Sequence, residues 1–153
     1  MKFIAALVAL FAVSAVNAVS PPFTSCATAP TQMTVTAFSV APYPLCINQN
    51  VCATVAGTLS TPITAGAKLA ITGRYLGRLV YTDNQDLCTV LGGSPGGVTC
   101  PVPITTTTVT ACVLVKPNAP PNVGVALTIL ATNGDGGLLF CQTATVTAIN
   151  CPP

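Results

Sequence analysis

The chain has 153 residues, of which 51% are hydrophobic and only 5% are charged, and it contains neither His nor Trp. Its formal net charge of +2 is too small to indicate a nucleic-acid partner or a polybasic membrane anchor. Abundant Val, Leu, Ala and Thr argue against disorder and favour strands over helices, so we predict a compact β protein.

The N-terminus has the features of a secretory signal. Lys2 precedes a largely apolar run from Phe3 to Val16, and small residues follow up to Ala18. The run is shorter than the roughly 20 residues that a membrane-spanning helix needs. We therefore expect residues 1–18 to be a signal peptide and residues 19–153 to form one secreted domain. Its expected location is extracellular, or the lumen of an endomembrane compartment such as a vacuole or lysosome.

Eight cysteines follow this segment and indicate four disulfides formed in an oxidising compartment. Without His or a C-x-x-C pair we expect no metal and no cofactor. The spacings leave many pairings open. The Gly-rich loop between Cys88 and Cys100 favours a local disulfide, and the tight loop between Cys46 and Cys52 allows another. The cysteines are Cys26, Cys46, Cys52, Cys88, Cys100, Cys112, Cys141 and Cys151.

The first half of the domain alternates between apolar and polar residues, as strands do. Within residues 32–40 the apolar phase slips, which indicates a bulge. Clean alternation follows over residues 51–59 and again over residues 68–74, and Tyr75 continues the inward face. The chain then turns into a strand over residues 79–81.

A polar segment, residues 83–86, and a Gly-rich loop follow that strand. We interpret its carboxylates as part of a solvated turn and not as an acid–base pair. The loop contains a G-x-S-x-G match around Ser94, the pattern of a nucleophile elbow. A serine nucleophile needs a general base, and the chain has no His. We therefore predict a flexible loop, no catalytic residues and no enzymatic activity.

Three more alternating segments, residues 109–115, 123–131 and 138–149, complete the domain. Asn133-Gly134-Asp135-Gly136 between the last two predicts a hairpin, because Asn-Gly and Asp-Gly tolerate positive φ angles. About seven or eight regularly spaced strands predict an all-β fold, an immunoglobulin-like sandwich of two antiparallel sheets.

Several motifs follow one another at characteristic spacings: Asp86-Leu87-Cys88, Cys100-Pro101, the Pro120-Pro121 turn, and the 133–136 hairpin ahead of Leu139-Phe140-Cys141. This ordered set resembles the MD-2-related lipid-recognition (ML) family over about residues 23–149. That family includes Niemann-Pick type C2-like sterol-binding proteins and fungal phosphatidylglycerol/phosphatidylinositol transfer proteins.

The resemblance implies the four disulfides in a particular arrangement. It pairs Cys26 with Cys141, Cys46 with Cys52, and Cys88 with Cys100. Cys112 would then pair with Cys151, a bridge outside the usual pattern of the family.

The resemblance also implies an apolar pocket between the sheets that holds a phospholipid, a fatty acid or a sterol. In sterol-binding members aromatic residues guard the mouth, one of them near Val80 or Tyr81 of this chain. The second aromatic position is Ala119 here, and this departure weakens the expectation of a sterol.

An ordinary sandwich core would produce much the same apolar pattern. The wealth of Ala, Gly and Val on the inward faces and the absence of Trp favour an enclosed space instead. We predict that the lipid pocket is lined by Tyr75, Leu79, Val80, Tyr81, Val113, Val115, Leu127, Ile129 and Phe140.

The predicted function is that of a secreted, monomeric lipid-binding or lipid-transfer protein that contacts membranes transiently. The alternative is a non-enzymatic structural or adhesive cell-wall-associated module with a solid core. We interpret Lys68, Arg74, Arg78 and Lys116 as solubilising residues. In a second interpretation one or two of them meet a headgroup phosphate at the pocket mouth.

Overall fold

The computed structural model describes residues 19–153, so the predicted signal peptide lies outside the described residues. Strands dominate, as the composition predicts. In chain order the elements are β1 (Thr24–Ser25), β2 (Met33–Ala41), β3 (Leu45–Cys46), β4 (Asn50–Leu59), β5 (Lys68–Tyr75), β6 (Arg78–Asp86), α1 (Leu87–Gly93), β7 (Thr108–Leu114), β8 (Gly124–Thr132) and β9 (Leu138–Ile149).

The strands form two sheets, which confirms the predicted sandwich. The larger sheet has the order β1-β9-β8-β5-β6, and β3 adds a short parallel pairing to β9. The smaller sheet has the order β2-β4-β7. Alternation places apolar side chains on the inner faces of both sheets, where they form one core. Burial of their apolar surface is the main driving force for packing the two layers.

The phase slip in the first strand is a bulge. The register of β2 against β4 shifts between Val35 and Ala37, so that Phe38 and Val40 continue the inward face. At the bulge the chain passes close to Gly57, where an added Cβ would lie 2.1 Å from the Thr34 carbonyl oxygen. Only glycine fits this crossing.

The hairpin signal at residues 133–136 connects β8 and β9 as predicted. The Asn133 side chain is buried, and its Oδ1 accepts hydrogen bonds from the Thr64 N–H (2.9 Å) and the Gly134 N–H (2.8 Å). Its Nδ2 donates to the Pro62 carbonyl (2.9 Å) and to Gln32 Oε1 (2.7 Å). The hairpin therefore fastens the loop after β4 as well as joining two strands.

The predicted flexible loop after β6 is wrong, because its first half is helix α1. Asp86 caps the helix by accepting a hydrogen bond from the Thr89 N–H (2.8 Å), and α1 buries Leu87 and Leu91 against the core. Ser94 ends the helix: its hydroxyl donates to the Val90 carbonyl (2.6 Å) and accepts from the Cys112 N–H of β7 (2.8 Å). The serine of the nucleophile-elbow pattern is therefore a buried tie between α1 and the edge of the small sheet.

Two predicted disulfides form and two are wrong. Cys26 bonds to Cys141 and Cys88 to Cys100, but Cys46 bonds to Cys151 and Cys52 to Cys112. The reason is register. Cys52 lies directly opposite Cys112 in the β4–β7 ladder, and Cys46 lies opposite Ile149 beside the C-terminal segment. The loop between Cys46 and Cys52 is therefore not closed by a bridge of its own.

No helix among residues 19–153 is both long and apolar enough to cross a bilayer.

Candidate functional site

An apolar cavity of about 80 Å³ lies between the two sheets; we call it the interlayer cavity. The large sheet contributes Leu69, Ile71, Tyr81, Leu127, Ile129 and Phe140 to its walls. The small sheet contributes Met33, Phe38, Val40, Val51, Ala53, Val55, Val109, Ala111 and Val113. Leu87 and Leu91 of α1 close the side between β6 and β7.

Small side chains leave this space open. Ala53 and Ala111 face each other in the β4–β7 register, and both belong to the inner face of the small sheet. They and Val113 keep intermediate exposure although they point into the sandwich. Bulky residues at these positions would meet the large sheet and fill the gap.

Six of the nine residues predicted to line a pocket surround the interlayer cavity. Tyr81, Val113, Val115, Leu127, Ile129 and Phe140 all contribute to its wall. That these residues contact a lipid stays a prediction.

The other three predicted residues lie outside the cavity. Tyr75 is 38% exposed and Leu79 is 53% exposed, and Val80 has the opposite side-chain phase from Tyr81. A register shift between Gly73 and Arg74 interrupts the alternation of β5 just before the turn. The inward face of β5 therefore ends at Gly73, where an added Cβ would lie 2.7 Å from Val125 Cγ1.

From the wall formed by the small sheet, sequence reasoning named only Val113; it missed the rest of that wall and α1. The alternation of residues 51–59 and 109–115 placed Val51, Val55 and Val109 on inward faces, and this was the signal available. Nothing in the pattern indicated that Leu87 and Leu91 would reach the cavity, because a seven-residue helix is too short to show a period.

A second, smaller void of about 30 Å³ adjoins the interlayer cavity. Tyr81, Val115, Leu127 and Leu45 line both spaces. Ala119, at the second mouth position implied by the resemblance, lines the smaller void and is buried. The two spaces together run toward the end of the sandwich at which β5 and β6 turn.

An ion pair joins the two sheets at this end. Asp83 of β6 is only 2% exposed, and its Oδ1 lies 2.6 Å from Nζ of Lys116, just after β7. The Lys116 N–H also donates to the Tyr81 hydroxyl (3.4 Å), and Lys116 Nζ donates to the Thr82 carbonyl (3.2 Å). We call these contacts the latch. The predicted solvated turn at residues 83–86 is wrong, because these residues end β6 and Asp83 is buried.

In the latch the Lys116 side chain stays protonated and the Tyr81 hydroxyl stays neutral, because both pKa values are raised. The hydrogen-bonded carboxylate of Asp83 raises the pKa of Lys116 above its ordinary value of 10.5. Burial raises the pKa of Tyr81 above 10.0, although the Lys116 N–H opposes it. By linkage the Lys116 contribution is present below its ordinary pKa and is lost only as the pH rises through the raised value.

The disulfides strengthen each layer without tying the layers together. Cys26–Cys141 joins β1 to β9 inside the large sheet, and Cys52–Cys112 joins β4 to β7 inside the small sheet. The remaining two fasten the C-terminal segment to β3 and close the loop after α1. None of the four links a strand of one sheet to a strand of the other.

Solved structures with the same fold include the following two proteins. A Niemann-Pick type C2 protein from Japanese carpenter ant superposes with a TM-score of 0.62 at 11% identity, covering 83% of this chain and 98% of that one. Chicken MD-1, solved in complex with lipid IVa, gives a TM-score of 0.52 at 16% identity over 82% of this chain and 86% of that one. No curated protein matches significantly by sequence.

The sequence itself matches the ML domain over residues 20–148. This match spans nearly all of the described chain, and it agrees with the two-sheet sandwich and the apolar space between its layers. The chain therefore belongs to the ML-domain family of MD-2-related lipid-recognition proteins.

Proposed function

We propose that this domain is a secreted lipid carrier that holds the apolar part of a phospholipid, fatty acid or sterol between its sheets. The observation that carries the proposal is the interlayer cavity, whose walls are apolar side chains from both sheets and from α1. Each Å² of apolar ligand surface removed from water there contributes about 25 cal/mol to binding. Membership of the ML-domain family supports the same function.

Uptake requires the sheets to move apart. The cavity of about 80 Å³ is smaller than the engineered cavity of about 150 Å³ that holds one benzene, so it does not hold a whole lipid tail in this conformation. Two disulfides strengthen the layers separately, and none of the four links a strand of one sheet to a strand of the other, so the layers can separate as units. The latch then has to open for the end near Tyr81 to widen.

No covalent chemistry is part of the proposal. The Ser94 hydroxyl is buried and engaged by the Val90 carbonyl and the Cys112 N–H, and the chain has no His to activate it. Four disulfides fit an extracellular or lumenal site of action.

The turn between β5 and β6 supports transient membrane contact. This hairpin tip, residues 74–79, exposes Leu76 to 84% and Leu79 to 53%. Arg74 and Arg78 flank its apolar residues, and basic groups near an anionic bilayer contribute about 1 kcal/mol each. We infer that the tip enters the interface of an anionic membrane while the nearby end of the sandwich opens.

Leu76→Asn tests the hairpin tip. Leu76 has a φ of 50°, which Asn tolerates well, so the turn should survive while the apolar contact is lost. Binding to vesicles that contain phosphatidylglycerol should weaken about tenfold, since burying a leucine is worth about 1.5–3 kcal/mol. Ile104→Asn, at another exposed apolar residue, is the matched control. Equal vesicle binding by both variants would exclude the tip as the membrane contact.

The ligand itself is tested by organic extraction and mass spectrometry of the protein purified from the secretion medium. We expect a stoichiometric lipid, whose mass distinguishes a phospholipid, a fatty acid and a sterol. The preparation should then take up a fluorescent lipid after delipidation. A protein that carries no lipid and takes up none would favour the structural or adhesive module with a solid core.

A further inference from the structure

A second pocket, of about 240 Å³, lies on the side of the sandwich opposite α1. It opens in the seam between β1 and β9 of the large sheet and β2, the edge strand of the small sheet. We call it the seam pocket. Met33 and Phe140 line both this pocket and the interlayer cavity, so the two spaces adjoin at these side chains.

The seam pocket is lined by an amide side chain, that of Gln142. Gln142 is 5% exposed and lies opposite Ile129 in the β8–β9 register, which puts its side chain on the inner face of the large sheet. Its amide forms no hydrogen bond with another group of residues 19–153, and no buried side-chain N or O atom among these residues lacks a partner, so the amide atoms reach the open space of the pocket. There they are free to pair with water or with a ligand. A residue selected only for packing would be apolar here, as its neighbours Phe140 and Ile129 are.

The other polar groups around the pocket are uncharged as well. Ser25 lies opposite Gln142 in the β1–β9 register, and its Oγ accepts from the Ala27 N–H, so its own O–H remains a donor. Thr31 and Thr34 complete the polar rim. Among residues 19–153 no charged side chain lines the pocket, so these residues offer hydrogen bonds but no ion pair to compensate a buried charge.

We propose that the seam pocket binds the uncharged, hydrogen-bonding end of a lipid, a hydroxyl or an ester carbonyl, whose hydrocarbon part passes Met33 and Phe140 into the interlayer cavity. Gln142 is the specificity-determining residue, because its amide can donate to a carbonyl and accept from a hydroxyl. The inference rests on the proposed lipid binding. It adds that neutral glycerides or sterols are preferred over lipids with a charged group at the same position.

The test is competition for a bound pyrene-labelled hydrocarbon by three ligands: 1-monoolein, oleate and 1-heptadecene. The parent protein should bind monoolein more tightly than oleate. Gln142→Leu keeps the volume and removes the amide, and it should weaken monoolein about three- to tenfold, the effect of one or two hydrogen bonds. Heptadecene should change by less than about twofold, because it has no group for the amide.

Two further variants keep the test decisive. Thr145→Val, on the outer face of the same strand, is the matched control and should change nothing. Val35→Phe fills the seam pocket from the β2 side without altering Gln142, so it tests the same space if Gln142→Leu fails to fold. It should weaken monoolein and spare heptadecene.

The outcomes separate this inference from the proposed function. If the parent binds heptadecene but Gln142→Leu and Val35→Phe leave monoolein unchanged, the seam pocket holds only water and the inference is wrong. A parallel loss of both ligands would also overturn it, since that would indicate general damage to the cavity. If the parent binds none of the three ligands, the lipid-carrier proposal itself fails, and this inference fails with it.

Discussion

Single side chains at the latch connect the two sheets. Asp83 is buried beside Tyr81, and it is held by Lys116 Nζ from across the sandwich and by Gln85 Nε2 (3.1 Å to each carboxylate oxygen) from its own strand. Because the Lys116 side chain is 41% exposed, solvent screens part of this attraction, but the burial of Asp83 keeps the pair favourable. The latch therefore favours the closed conformation without a covalent link.

Asp83→Asn keeps the shape of the latch and removes its negative charge. We expect the free energy of unfolding to fall by about 1–3 kcal/mol, because the ion pair with Lys116 is replaced by a weaker contact between its ammonium group and a neutral amide. Lipid transfer between vesicles should become faster at the same time, because opening costs less. Asp135→Asn, an equal change of charge in the β8–β9 hairpin, is the control and should leave the transfer rate unchanged. A slower transfer by Asp83→Asn would contradict the gating role.

At this scale the sequence predicted side chains well where alternation is unbroken and badly where it is not. Tyr81, Leu127 and Ile129 sit in regular strands and face inward as predicted. The alternation of the sequence also places Tyr75 and Leu79 on the inward face. The register shift after Gly73 and the following turn expose both side chains instead. A polar sequence also concealed the latch, since burial of Asp83 depends on Lys116, which is distant in the chain.

At the scale of elements, helix α1 is the part that local pattern could not predict. Its signals were a capping Asp86 and three apolar residues, against a background of glycines that favour a loop. The cap stabilises the first turn of this short helix, and burial of Leu87 and Leu91 holds it against the core. The Thr89 N–H holds the pKa of Asp86 below its ordinary value of 3.8.

The cap predicts how stability depends on acid. Asp86 has a lowered pKa, and so does Asp135, which accepts from the Gly137 N–H and from Gln32. A carboxylate with a lowered pKa stabilises the fold fully above its ordinary pKa and loses that contribution as the pH falls through the lowered one. Thermal unfolding temperatures should therefore stay level down to about pH 4 and decline below it.

Asp86→Asn tests whether Asp86 causes part of the loss of stability in acid. Asn caps a helix about as well as Asp but does not titrate, so the variant should match the parent near neutral pH and decline less in acid. The comparison needs circular dichroism melts of both proteins across the acid range. An acid decline of equal size in both proteins would remove Asp86 as one of the causes.

Two of the disulfides follow the family resemblance, and the other two are set by the pairing of distant segments. Cys26–Cys141 and Cys88–Cys100 agree with the resemblance, but the pairing of Cys52 follows from the β4–β7 register, which no local spacing reveals. Strand order is set by contacts between distant segments. Two of the four disulfide pairings could therefore not be predicted from the sequence.

At the scale of the whole molecule, the sandwich is a pair of separately stapled layers with an apolar gap. The fold class was accessible from alternation and turn residues alone. The size of the gap was not, because it depends on how closely the two sheets approach across Ala53 and Ala111. The separation of the sheets determines whether the domain has room for a lipid or has the solid core of a structural module.

The most direct measurement is the effect of Ala111→Phe on stability and on uptake of a fluorescent fatty acid by the same preparation. Ala126→Phe, on the outer face of β8, is the matched control. If the gap is the binding site, the ring fills it: uptake should fall at least tenfold, while the free energy of unfolding changes by less than about 1 kcal/mol. If the core is solid, the ring overpacks it and should cost about 1–3 kcal/mol. That loss of stability, in a parent that takes up no fatty acid, would contradict the lipid-carrier account.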